Sequence, residues 1–154
     1  LAAVLAGLMD FAVSFVILLG MLIYFDMPPT LAILSLPFFI LLTITAALGV
    51  GLWLAAINVQ YRDVINALPF LTQLWFFLTP VAYASSIIPE EWRLVYRLNP
   101  MSGVIEGFRW ALLGEAQSAP DPVFIGVSVL ALGAVLLGGL YFFRRREDTF
   151  ADVV

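Results

Sequence analysis

The sequence predicts an all-α protein that passes a membrane several times, and three observations predict it. Hydrophobic residues fill 63% of its 154 positions against 12% charged, with a mean hydropathy of +1.05, far above a soluble domain of this length. They gather into four runs, 1–25, 31–57, 64–88 and 123–143, each long enough to cross a hydrocarbon core of about 30 Å at about 1.5 Å per helical residue. Between the third and fourth runs lies a segment of another kind, 89–122, charged and punctuated as short helices.

The first run is broken only by Asp10. Ala3, Gly7, Asp10 and Ser14 recur at helical spacing on one small and polar face, as expected of a side packed against other helices. Asp10 admits two readings, a coupling or pathway residue or a carboxylate snorkelling or paired within the bundle. The second run carries Pro37, whose freed carbonyl neighbouring helices would satisfy, and then Thr45, Gly49 and Trp53 on one packing face. In the third, Thr72, Phe76, Thr79, Tyr83 and Ser86 recur at alternating steps of four and three, a polar and aromatic stripe that reads either as a pathway wall or as helix packing with an interfacial aromatic at Tyr83. In the fourth, Gly126, Gly133, Ala134 and Gly138 suit close helix contact.

The intervening segment predicts two helices too short to span. Pro89 opens the first, Pro89 to Leu98, with Glu90 and Glu91 in its first turn and Arg97 near its end, matching the helix dipole. Trp92, Val95 and Tyr96 share an apolar face, so this piece is expected flat at the outer interface. The second, Pro100 to Leu113, has Asn99 as N-cap, Pro100 at the first helical position and Gly114 just past its end. At roughly 21 Å it should dip in and return, with Gly103, Gly107 and Trp110 on a close-approach face and Glu106 and Arg109 paired at i and i+3.

Orientation follows from arginine. Arg144, Arg145 and Arg146 end the fourth run and Arg62 shares their side, four against Arg93, Arg97 and Arg109 opposite, so the start and the C-terminus are expected in the cytoplasm. The opening Leu1 inside an apolar run reads as a chain lacking upstream residues. No secretory signal is predicted, because apolar character recurs to the end. With no cysteine and no histidine in the sequence, thiolate and imidazole metal sites and the usual general bases are excluded. Seven arginines without a lysine offer no basic stripe to nucleic acid.

Several separate stretches carry a resemblance: YRDV at 61–64, QLWFFLTPVAY at 73–83, LNPMSGVIEGFRWALLG at 98–114 and FFRRREDTFADVV at 142–154. Over its whole length the chain resembles the permease of ABC-2 type exporters of polysaccharides and polyol phosphates, the group serving O-antigen, capsule and teichoic acid export. The resemblance implies a homodimer of six-helix subunits in the bacterial inner membrane, with two copies of a separate cytoplasmic ATPase, moving a lipid-linked glycan outward. Residues 1–154 would be permease transmembrane domain, four transmembrane helices of the expected six plus the two short external or re-entrant gate helices. The chain would be no enzyme and bind no cofactor, ATP and magnesium belonging to the partner; no Walker motif occurs in it. A sugar chain offers apolar faces to aromatic rings and hydroxyls to Thr and Ser, so Thr72, Trp75, Phe76, Phe77, Thr79 and Tyr83 are expected to line the substrate pathway, and Trp92, Tyr96, Glu106, Arg109 and Trp110 stand on the helices that the resemblance makes the gate. Tyr61, Arg62 and Asp63 would meet the ATPase.

Three rivals are weighed against this. An ion-coupled secondary transporter or channel would place its site at Asp10, which has no second intraspan carboxylate beside it. An intramembrane enzyme would need His, Cys or clustered carboxylates within the spans. An ABC-2 exporter of drugs or small lipids stays open as the alternative, since aromatic content does not separate it from a glycan exporter.

Overall fold

The computed structural model describes residues 2–27, 30–61, 63–81, 83, 87–89, 91–92, 96, 98–114 and 119–150, the side chains of 2–4, 60 and 146–150 excepted. Among these, five helices follow one another without a strand: α1 (Ala2–Tyr24), α2 (Leu36–Gln60), α3 (Val64–Leu78), α4 (Pro100–Leu113) and α5 (Pro122–Phe150). Stretches of α1, α2 with its lead-in, and α5 are long and apolar enough to cross a membrane: Leu5–Tyr24, Leu31–Val59 and Pro122–Arg145. The chain is thus an all-helical, multi-pass membrane protein.

The helix ends obey local chemistry. α1 closes with Met27 N–H on the Leu22 carbonyl (2.9 Å) and Asp26 N–H on that of Ile23 (3.2 Å), a Schellman closure that puts Asp26 at a φ of 55°. A 3-10 turn, Leu31–Ser35, leads into α2 and sets Pro37 in the first turn of that helix. There its missing N–H would have had no intrahelical partner, so no neighbouring helix is required to compensate for it. Asp121 Oδ1 accepts from Val123 N–H (3.0 Å) and starts α5 ahead of Pro122.

The third expected run, 64–88, does not continue as one helix. α3 ends at Leu78, after 15 residues and about 22 Å. Pro80 has no N–H for the Phe76 carbonyl, and its ring forces the preceding residue out of the helical region: Thr79 sits at φ −101° and ψ 134°. The stripe from Thr72 therefore stops at Thr79; Tyr83 lies beyond the break, and Ser86 lies outside the described residues. Of the expected helix Pro89 to Leu98, residues Glu91, Trp92, Tyr96 and Leu98 are helical, while Glu90, Arg93, Val95 and Arg97 lie outside the described residues.

The core sits where α4 fills the angle between α2 and α5. Leu36, Phe39, Leu42 and Ala46 of α2, Val104 and Ala111 of α4 and Leu132 of α5 are buried together, with Phe15 of α1 at the margin. Gly103 and Gly107 permit this approach: a Cβ on the first would strike the Ser128 hydroxyl, and on the second the Phe39 ring. The expected close face of α4 is thereby found, continued by buried Ala111 with Trp110 half-buried beside it. Along α2 and α5 the Gly49 and Trp53 face packs as expected, with Trp53 stacked on Phe142 (4.9 Å, 16°) and donating from Nε1 to the Val135 carbonyl (3.0 Å). On α5 it meets Gly138 and Gly139, whereas Gly126 and Gly133 face nothing within 4 Å. On α1, Gly7, Asp10 and Ser14 stand exposed, and no atom of the described chain lies within reach of a Cβ on Gly7.

Candidate functional site

The break after α3 determines the site. A helix end leaves its last carbonyls without N–H partners, and here protein donors supply the missing bonds. Thr79 N–H still reaches the Trp75 carbonyl (3.0 Å), but Val81 N–H turns back to that of Thr79 (2.7 Å), leaving Phe77 without its helical partner. The Tyr83 hydroxyl donates to the Phe77 carbonyl at 2.9 Å. Tyr83 has spent its one hydrogen there, so in its short bond with Tyr96 it accepts, and the order runs Tyr96 to Tyr83 to Phe77. The two rings meet edge to face, centroids 6.1 Å apart.

α4 supplies the remaining donors. Asn99 caps α4 with Oδ1, accepting from Met101 N–H (3.1 Å), while its Nδ2 donates to Thr79 Oγ1 (3.0 Å) and to the Leu78 carbonyl (3.4 Å). One amide both starts α4 and holds the end of α3. Arg109, almost three turns on, places Nη2 2.7 Å from the Pro80 carbonyl, 3.0 Å from that of Val81 and 2.8 Å from that of Tyr83. That nitrogen carries two hydrogens, so one bond is shared among three acceptors gathered on a single charge. The expected Glu106–Arg109 pair is not what the structure contains. The guanidinium is turned to the break, and among the described residues no ion pair joins it to Glu106, which is half-buried on α4.

Around this junction lies most of the predicted pathway and gate. Trp75, Phe76 and Phe77 are exposed at the C-terminal end of α3, with Phe76 and Phe77 edge to face at 5.6 Å. A shallow cavity of about 140 Å³ opens between Trp75, Leu78, Tyr96 and Asn99. Thr72 is exposed and bonds back to the Leu68 carbonyl (2.7 Å), whereas Thr79 is 3% exposed and engaged by Asn99, a joint in the break and not a surface group. Trp92 is exposed. At the opposite end of α3, Tyr61 and Asp63 are exposed in the turn from α2, Asp63 at the N-cap position without a side-chain bond to the helix; Arg62 lies outside the described residues. Sequence reasoning missed Asn99 as a stitch and the carbonyls as the partner of Arg109. The signal for both was the Thr79–Pro80 pair, which orphans carbonyls and so demands donors.

A family model described as ABC-2 type transporter matches residues 1–113. The chain belongs to the ABC-2 type transporter family. It is 29% identical over 156 aligned residues to the O-antigen export system permease protein RfbA of Myxococcus xanthus, covering 99% of this chain and 59% of that relative. To an O-antigen export system permease protein RfbA of Klebsiella pneumoniae it is 22% identical, over 95% of this chain and 56% of the relative. This ABC-2 chain thus spans somewhat over half the length of the curated relatives it matches, and the matched stretches take in α1, α2, α3 and α4 and reach into α5.

Proposed function

We propose that the chain is the membrane-embedded permease part of an ATP-driven exporter that carries a lipid-linked polysaccharide or polyol phosphate polymer outward across the bacterial inner membrane. The observation that carries this reading is the likeness along nearly the whole chain to permeases named for O-antigen export. In this reading α1, α2, α3 and α5 are four of six transmembrane helices. α3 covers about 22 Å of an apolar core of about 30 Å, and the five residues 79–83 need carry the chain only about 8 Å more.

The chain pairs with a second copy of itself and with two copies of a cytoplasmic ATPase, which binds the nucleotide and magnesium and is met by the turn at Tyr61, Arg62 and Asp63. Chain start and C-terminus then face the cytoplasm, and the junction of α3 with α4 faces outward. There Thr72, Trp75, Phe76, Phe77 and Tyr83 line the path, since aromatic faces suit the CH faces of sugar rings and hydroxyls suit their OH groups. Trp92, Tyr96, Glu106, Arg109 and Trp110 form the gate, with Thr79 as its hinge joint.

Affinity purification of the permease followed by an ATPase assay tests the reading. A stoichiometric ATPase stimulated by lipid-linked glycan is expected. Stimulation by small lipids or drugs but not by glycan would move the chain to another branch of the family, and flux driven by an ion gradient without any ATPase would overturn the reading.

A further inference from the structure

We infer that Arg109 is the positioning residue of this outer junction and that Glu106 is its release partner, so that one guanidinium alternates between three carbonyls and one carboxylate. The inference deepens the exporter reading above and rests on it only for what the alternation accomplishes.

α3 buries none of its residues, so apolar packing does little to fix its outer end. What fixes it is polar: the Tyr96–Tyr83–Phe77 relay, the Asn99 amide and Arg109 Nη2 on the carbonyls of Pro80, Val81 and Tyr83. Of these donors only Arg109 is charged, and it holds three acceptors, so it contributes the largest share. Glu106 stands three residues earlier on the same helix, within side-chain reach. A bidentate pair of Arg109 with the Glu106 carboxylate uses Nη2 in either mode, with Nε side-on or with Nη1 end-on, so such a pair competes with the three carbonyls that hold Nη2 in the arrangement observed. Half-buried and held by no ion pair among the described residues, Glu106 offers the second seat. Swinging Arg109 to it would free Pro80, Val81 and Tyr83 together and loosen α3 from α4 without unfolding either helix, a device with two discrete positions.

These 154 residues hold no cysteine, so paired spin labels at Leu71→Cys on α3 and Val123→Cys on α5, both exposed, report on this junction in the assembled exporter when any other cysteines of the assembly are replaced and the labelled permease is diluted with unlabelled copies. Without nucleotide the parent should give one narrow distance, and with ATP and lipid-linked glycan a second. Arg109→Met should broaden the distribution without either addition, and Arg109→Lys should narrow it again in part. The net worth of a charged hydrogen bond corresponds to about a ten- to hundredfold rise in the loosened population of Arg109→Met. Glu106→Gln should keep the narrow distance even with ATP and glycan, and should lower export.

A narrow distribution in Arg109→Met overturns the clamp. A second distance in Glu106→Gln equal to that of the parent overturns the release partner, as does a parent that never shows one. Failure of the exporter reading is seen separately, as no co-purifying ATPase, while the comparison of Arg109→Met with its parent needs no transport at all.

Discussion

Where α2 crosses α5, the contact is made by the absence of side chains: a Cβ on Gly139 would lie 2.9 Å from the Gly49 carbonyl oxygen, and one on Gly49 3.0 Å from the Leu136 nitrogen. Where α3 meets α4, α3 buries no residue, and hydroxyl, amide and guanidinium groups reach carbonyls 6 to 29 residues away. The first contact is close packing, which in lipid gains from dispersion and not from water release. The second is hydrogen bonding forced by a helix end that proline leaves open. A packed crossing resists any movement that opens a void, whereas a stitched junction comes apart by exchanging partners. Of the two, the junction built from polar side chains is therefore the one that can loosen without opening a void.

The sharpest way to break this contrast is to overfill the crossing. Gly139→Val places carbon against the backbone of α2, which cannot step aside as a side chain could, and should destabilise the fold by about 3 kcal/mol. Denaturant titration in detergent micelles checks it. Tolerance of valine there would mean that α2 and α5 are not held by close approach.

At the junction the matching change is Asn99→Ala, which removes an N-cap together with two donors to the end of α3. A cap is worth about 1 kcal/mol and the stitch about as much again, so a loss of about 2 kcal/mol is expected. Asn99→Asp keeps the accepting oxygen and loses the donor, and so should recover about half. Amide hydrogen exchange separates the two roles: Met101 should stay protected in Asn99→Asp while Thr79 and Val81 exchange faster. Equal protection of both segments would show that the amide does not hold α3.

The legibility of these regions in the sequence follows from the range of the forces. α4 was readable in full, from Asn99 and Pro100 to Gly114, because caps act within four residues and the observed bounds and the φ of 58° at Gly114 reflect them. The α2 face of Gly49 and Trp53 was readable from small residues at helical spacing. The end of α3 was not: 25 apolar residues read as one crossing, although Thr79–Pro80 stood within them. Apolar runs report what lipid tolerates and say little about where the hydrogen-bond ladder stops. Sequence spacing pairs Arg109 with Glu106 because it displays neighbours on one helix, while the acceptors in the structure lie 26 to 29 residues back in the chain.

The smallest effect comes from deleting one polar atom at the crossing, and the same deletion at the junction exposes the contrast most. Trp53→Phe removes the Nε1–H bond to Val135 but keeps an aromatic ring against Phe142. The Val135 carbonyl lies inside α5 and retains its ordinary i+4 partner, so nothing is orphaned and the loss should be about 0.6 kcal/mol. Tyr83→Phe also removes one hydroxyl, yet the Phe77 carbonyl has no helical N–H in reserve, since Val81 N–H is turned to Thr79, and Tyr96 loses its acceptor as well. Two unpaired groups should cost about 2 kcal/mol. Measured side by side in the same micelle, the two variants should differ about threefold in destabilisation. Equal losses would mean that the carbonyls at the break find other donors, and that the junction depends less on these stitches than on the membrane around it.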